Sequence, residues 1–255
     1  MNINEILDRK NLSHVLLFPL EGNGVDYSSY TYSELRKVNL KDYRKIVAIV
    51  YDSEGAENPR EEWCNAGTIF SLAPRVFASD KNAECLKVNV CGRDDNGRFY
   101  CDYEPLERNV KGIINTNMGR AYVLPIYMYS HSGERISTTP FNDRWDSGRA
   151  GYIYMTEETA KKEQLIRKDG KVNWKAVKAR LESEIETYDQ YISGEVYGFR
   201  SHNIQDGIIE EDEDSCYGFF GDDFRTNGIF EYLNEKAIIT NKEKHIKALK
   251  KANLL

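Results

Sequence analysis

The sequence has no long hydrophobic run. Its longest apolar stretches, residues 15–20 and 46–50, fall far short of the roughly 18–20 residues that a membrane-spanning helix needs. The N-terminus, Met1-Asn2-Ile3-Asn4-Glu5, lacks both the basic and the apolar region of a secretory signal. A cytoplasmic protein without membrane association is the expectation. Cysteine is sparse and unpatterned: Cys64, Cys85, Cys91, Cys101 and Cys216 are an odd number with no C-x-x-C pair. That suits reduced thiols better than a disulfide framework or a zinc site. Basic charge is also in deficit. With 35 Lys+Arg against 41 Asp+Glu the formal net charge is −6, and the balance argues against direct, generic nucleic-acid binding. The glycine pair Gly22-Asn23-Gly24 lacks the lysine of a phosphate-binding loop, and there is no G-x-S-x-G nucleophile elbow. No cofactor motif is complete.

What is present is the composition of a folded chain: 40% apolar residues and 12% aromatics, the latter 17 Tyr, 10 Phe and 3 Trp. Short helices are expected at 3–10 and 31–35, and the β-branched run 45–51 reads as a buried strand. Residues 122–129 and 135–141 flank the turn His131-Ser132-Gly133-Glu134 and read as a hairpin; Pro125 places the first of these strands at an edge or a bulge. After a loop at 142–150, a third strand at 151–155 runs into Thr156, which suits a helix N-cap followed by Glu157 and Glu158. The clearest helix is 173–193. Trp174, Val177, Leu181, Ile185, Tyr188 and Ile192 recur at helical spacing, which places the charged residues on the other face. Strands at 195–199 and 216–220 are expected to pair antiparallel, with a short helix at 224–233. Hairpins and helices without βαβ regularity define an α+β class, with a mixed or antiparallel sheet built from hairpins. The expected organisation is one domain over 1–235, an irregular stretch at 78–117 carrying a hairpin at Asn96-Gly97, and a lysine-rich tail at 236–255.

Charge is unevenly distributed. Residues 204–223 hold eight acids and no base, whereas 236–255 holds six lysines and one acid. The acidic block, Glu210, Glu211, Asp212, Glu213 and Asp214, reads either as a solvated loop or as a surface for a basic partner. The tail reads as an amphipathic helix that frays, or as a segment that docks on that block.

The densest polar cluster holds His131, Ser132, Ser137, Thr138, Thr139, Asn142, Asp143, Arg144, Asp146 and Ser147 within seventeen residues. Such residues usually cap turns, and adjacent Ser and His seldom present Oγ to Nε2. If the protein is an enzyme, His131, Asp143 and Asp146 are its candidate catalytic residues, acting on a nucleotide or phosphoester with the 131–146 and 214–223 loops. A divalent cation would then be held by Asp143, Asp146, Asp222 and Asp223, which requires two separate loops to meet. Trp145, between the acids, reads as a packing anchor, and with Asp222 and Asp223 as a binding candidate. The alternating Tyr127, Tyr129, Tyr152 and Tyr154 read as core or as a Tyr-rich binding face.

Three ordered blocks carry a resemblance. N-P-R-E-E-W-C-N-A-G-T at 58–68, Y-M-Y-S-H-S-G-E-R-I-S-T-T-P-F-N-D-R-W-D-S-G-R-A-G-Y-I-Y at 127–154, and residues 186–198 followed by D-S-C-Y-G-F-F-G-D-D at 214–223 resemble a family of uncharacterised proteins of tailed phages and prophages. The chain departs from that pattern at Asn142-Asp143-Arg144, where a cysteine-proline pair is usual. The resemblance implies a phage-encoded accessory protein, cytoplasmic in the host bacterium. Its partner would be a bacterial defence protein or nucleoprotein complex, such as a CRISPR effector or another nuclease, inhibited by stoichiometric binding. The acidic block would then mimic nucleic acid. A homo-oligomeric structural or regulatory protein is the third reading.

Overall fold

The computed structural model describes residues 1–20, 32–53, 55–83, 91–93, 96, 99–101, 113–116, 119–211 and 214–233. The Gly22-Asn23-Gly24 run, Cys85, Gly97, Asp212, Glu213 and the lysine-rich tail lie outside the described residues. In chain order the elements are α1 (Ile3–Leu7), β1 (Leu12–Pro19), α2 (Tyr32–Leu35), β2 (Tyr43–Tyr51), β3 (Thr68–Ser71), β4 (Cys91–Arg93), β5 (Phe99–Cys101), β6 (Ile113–Thr116), β7 (Gly119–Ser130), β8 (Glu134–Ser137), β9 (Ser147–Thr156), α3 (Glu157–Lys162), α4 (Trp174–Ile192), β10 (Val196–Gln205), β11 (Ile208–Ile209), β12 (Asp214–Phe220) and α5 (Ile229–Tyr232). The class is α+β, with antiparallel sheets built from hairpins and one long helix among short ones. The chain folds as two compact units, Met1–Glu57 with Gly194–Leu255, and Asn58–Ser193.

In the first unit the strand order is β1-β2-β10, and β10 carries β11 and β12 on its other side. The apolar run of β2 is explained by burial on both faces. Ile46, Ala48 and Val50 pack with Ile6, Leu7, Val15, Leu17 and Leu35. Val47 and Ile49 pack with Phe18, Phe199, Phe224, Ile229 and Phe230 on the opposite face. A period of two with apolar groups at every position is what a strand inside two layers requires. The helix expected over 224–233 is confined to Ile229–Tyr232; Asp223 to Asn227 form turns, with the Thr226 and Asn227 amides donating to the Asp223 carbonyl.

In the second unit the order is β3-β9-β7-β6, with β8 also on β7. Pro125 is paired with Tyr152 of β9, while on the opposite side β6 stops at Tyr122 and β8 starts at Tyr127. The proline, which has no amide hydrogen, sits in the interval where the ladder on that side is interrupted. The returning strand is shorter than expected, ending at Ser137, and β9 begins at Ser147 inside the expected loop. Thr156 caps α3 by accepting from the Thr159 amide at 3.1 Å. Asn173 caps α4 at the Ala176 amide, and Gly194, at φ +75°, follows its last turn as expected of a helix terminator.

Helix α4 lays Val177, Leu181, Ile185 and Tyr188 on Ile69, Ile126, Ile136, Ile153 and Met155. Each fully buried aliphatic side chain there contributes about 1.5–3 kcal/mol. The helix departs from the expected separation of faces, because Glu184 and Asp189 are buried beside this stripe. Tyr152 and Tyr154 are core on the sheet's other face, with Phe70 and Val123. Tyr127 is half-buried, and Arg149 lies over both Tyr127 and Tyr152 at 5.6 and 5.9 Å.

Candidate functional site

The sequence cluster at 131–147 is assembled in space. Ser130 and Glu134 pair across the β7–β8 hairpin, leaving His131-Ser132-Gly133 as its loop with Ser132 at φ 56°. The Ser130 amide donates to the Asp146 carbonyl at 2.9 Å, and His131 Nδ1 lies 3.0 Å from Asp146 Oδ2. One Asp143 oxygen accepts from the Trp145 and Asp146 amides, each at 2.8 Å, while the Ser147 hydroxyl donates to the Asp143 carbonyl. These amide bonds stabilise the ionised form and hold the Asp143 carboxyl below its ordinary range.

This arrangement orients an imidazole but supplies it with no nucleophile from Ser132, whose hydroxyl donates to the His131 carbonyl at 2.6 Å. Among the described residues, no group of three or more His, Cys, Asp or Glu side chains is arranged to hold a metal ion. Asp143 and Asp146 belong to the second unit and Asp222 and Asp223 to the first. Asp223 is engaged locally by Arg225, whose Nη2 donates to it at 2.7 Å, and its carboxyl is lowered chiefly by Arg225.

Trp145 corrects the expectation of a packing anchor. It is 94% exposed, because the two amide bonds to Asp143 close the backbone in a tight turn that projects the indole outward. Beside it opens a cleft of about 420 Å³ that includes Leu72, Met128, Ser130, Asp146 and Arg149 among its walls. In the first unit, the described part of the acidic block belongs to the edge of the sheet. Gln205 pairs with Ile208 around Asp206-Gly207, exposed Ile208 is followed by Glu210 and Glu211, and Asp214 opens β12.

The first two blocks of the resemblance, and residues 186–193 of the third, supply structural anchors in the second unit. Arg60 donates to Glu184 at 3.0 Å, to the Gly67 carbonyl at 2.8 Å and also to Asp80. Glu184 further accepts from the Ala66 amide at 3.0 Å and from Arg180 at 3.0 Å. The middle block is tied to the third by Arg135 and the Ile136 amide, both donating to Asp189. A buried carboxylate with several donors is satisfied as an ion. The rest of the third block, residues 194–198 and its closing piece Asp214 to Asp223, lies in the first unit.

Sequence reasoning passed over a second cleft, at the start of α4. Its cations come from β7, α3, a turn and the first turn of α4; four of them lie in the basic run 161–175, and Arg120 of β7 joins them only in space. Comparison with protein-family models, curated proteins and solved structures finds no match.

Proposed function

We propose that this protein acts by stoichiometric binding to another protein, with Trp145 as an anchor. The observation that carries the reading is the pairing of near-complete exposure of the Trp145 indole with a backbone held by Asp143, Asp146 and Ser130. With the backbone already fixed, burial of the indole costs only the freedom of its two side-chain torsions, and tryptophan is enriched among interface hot spots. The adjoining cleft offers apolar surface at Leu72 and Met128 for a partner side chain. The phage resemblance makes that partner a bacterial defence nuclease or nucleoprotein. Glu210, Glu211 and Asp214 then supply the electrostatic part of recognition toward a basic groove, alongside Asp212 and Glu213 of the same sequence block.

The test is a binding assay against reconstituted defence complexes, comparing wild type with Trp145→Ala and with the combined Glu210→Gln, Glu211→Gln, Glu213→Gln, Asp214→Asn variant. Trp145→Ala is expected to abolish a stable complex, and the charge variant to weaken it and flatten its salt dependence. Binding unchanged by Trp145→Ala would discard the anchor; a salt dependence unchanged in the charge variant would discard mimicry. Turnover of a nucleotide or phosphoester that is lost on His131→Ala would replace this reading with the enzymatic one.

A further inference from the structure

Residues 161–175 reverse the charge balance of the chain, with Lys161, Lys162, Arg167, Lys168, Lys171 and Lys175 against Glu163 and Asp169. The backbone folds this segment back on itself. Ile166 pairs with Val172, the Arg167 amide donates to the Lys171 carbonyl at 2.8 Å, and Gly170 takes φ +77° at the bend. The bend, α3, β7 and the first turn of α4 border an open cleft of about 530 Å³ whose lining includes Arg120, Lys161, Arg167, Lys171, Trp174 and Lys175. That volume lies within the range of small-molecule sites, about 300–1,000 Å³.

The charges are only partly compensated. Glu157, the acid in the lining, accepts from Lys161 at 2.8 Å, and Arg167 lies 3.3 Å from Asp169. The ammonium groups of Lys171 and Lys175 have no carboxylate partner among the described residues. Arg120 stands over the Trp174 ring at 5.7 Å, and Tyr122 stacks against the same indole at 6.2 Å. Arginine and indole together form a wall suited to a planar ring. The first turn of the 19-residue α4, beyond its Asn173 cap, adds amide hydrogens and the positive end of the helix dipole.

Independently of the Trp145 reading, we propose that this cleft binds a nucleoside polyphosphate. The phosphates would lie on Arg167, Lys171 and Lys175, and the base on the Trp174–Arg120 wall. Five cations exceed what a single phosphate needs. Their convergence on one bounded cleft, in a chain of net charge −6, favours a compact anion over an extended strand, whose binding takes a continuous basic groove.

The test uses the full chain in calorimetric titrations with ATP, ADP, pyrophosphate and a short single-stranded DNA, at low ionic strength. ATP and ADP are expected to bind saturably below about 1 mM, and pyrophosphate about tenfold more weakly. The Lys171→Gln/Lys175→Gln variant, altered only at exposed side chains, is expected to melt as wild type and to lose at least about tenfold in ATP affinity. Arg167→Gln alone serves if that double variant does not fold. No saturation by ATP, or full affinity retained in the folded variant, overturns the proposal. Pyrophosphate binding as tightly as ATP removes the base contact, and DNA that ATP does not displace assigns the cleft to a polynucleotide instead.

Discussion

The Asp189 carboxylate of α4 holds the Arg135 guanidinium through both oxygens, Nη2 donating to Oδ2 at 2.7 Å and Nε to Oδ1 at 3.2 Å, a bidentate ion pair that binds β8 to the helix. The same carboxylate accepts the Ile136 amide at 2.6 Å, so one acid satisfies a side chain and the backbone of the short strand. Asp189→Ala leaves both donors without it and is expected to destabilise the fold by about 3 kcal/mol. Arg135→Gln, at a side chain 43% exposed, is expected to cost about 1 kcal/mol. Urea denaturation of the two variants checks the order; equal costs would contradict it.

Gly67 is where the 58–68 block meets α4. A Cβ at this position would fall 2.5 Å from Leu181 Cδ2 and 2.8 Å from Ile153 Cδ1. Both neighbours are fully buried and cannot retreat without opening the core. Gly67→Ala is therefore expected to lower stability by about 2–3 kcal/mol, read from the denaturation midpoint. A neutral result would mean that the segment shifts freely away from the helix.

Trp145→Ala is expected to change stability by less than about 0.5 kcal/mol, since the indole packs on almost nothing. Asp143→Ala is expected to release the loop while leaving the rest of the fold intact, because it removes the acceptor for two successive amides. Protection of the Trp145 amide, taken as its exchange rate relative to the intrinsic rate at the same pH, should fall in that variant and, in wild type, as pH drops below the ordinary aspartate value through the lowered one of Asp143. Protection unaffected by either change would show that other contacts fix the loop.

His14 packs edge-on against Phe224, with ring centroids 5.2 Å apart. Desolvation lowers its pKa, and Asp222 opposes that shift. The folded state thus binds the proton less readily than the unfolded chain. Its contribution is complete above the ordinary histidine value of about 6.5 and falls as pH drops below that value toward the lowered one. Wild type should lose stability relative to His14→Phe between pH ~7.5 and pH ~5.5, measured by thermal melting. A gap that does not change with pH would remove His14 as the titrating group.

Much of the framework is legible in the sequence because it rests on local periodicity. The spacing from Trp174 to Ile192 specifies α4, Thr156 with its two glutamates marks the start of α3, and the run 45–51 yields β2. The misreadings come from long-range pairing. Glu184 and Asp189 look like solvent-facing charges until Arg60 and Arg135, more than fifty residues away, arrive to neutralise them. Trp145 looks like core by its chemistry, and its exposure depends on the turn drawn by Asp143. His131 and Asp146 belong to one stretch of polar sequence and are brought together where β7 pairs with β9, whereas the basic cleft joins the run 161–175 to Arg120 of β7, a meeting that no local pattern announces.

The first unit is assembled from two separated stretches of chain, and the Asp52 amide donates to the Val196 carbonyl at 2.9 Å where the chain leaves and re-enters it. This has a consequence for synthesis. As the polypeptide emerges from the ribosome, β2 acquires β1 at once but has no β10 until the whole inserted stretch 58–193 has been made. The inserted unit contains its own pairings and so can fold before β10 has been made. Once formed, it replaces a floppy connection of more than a hundred residues by a structured insert, easing the loop-closure entropy that the β2–β10 ladder must overcome. A lesion in the buried anchors of the insert would then also delay or prevent the closing of a sheet to which it contributes no strand.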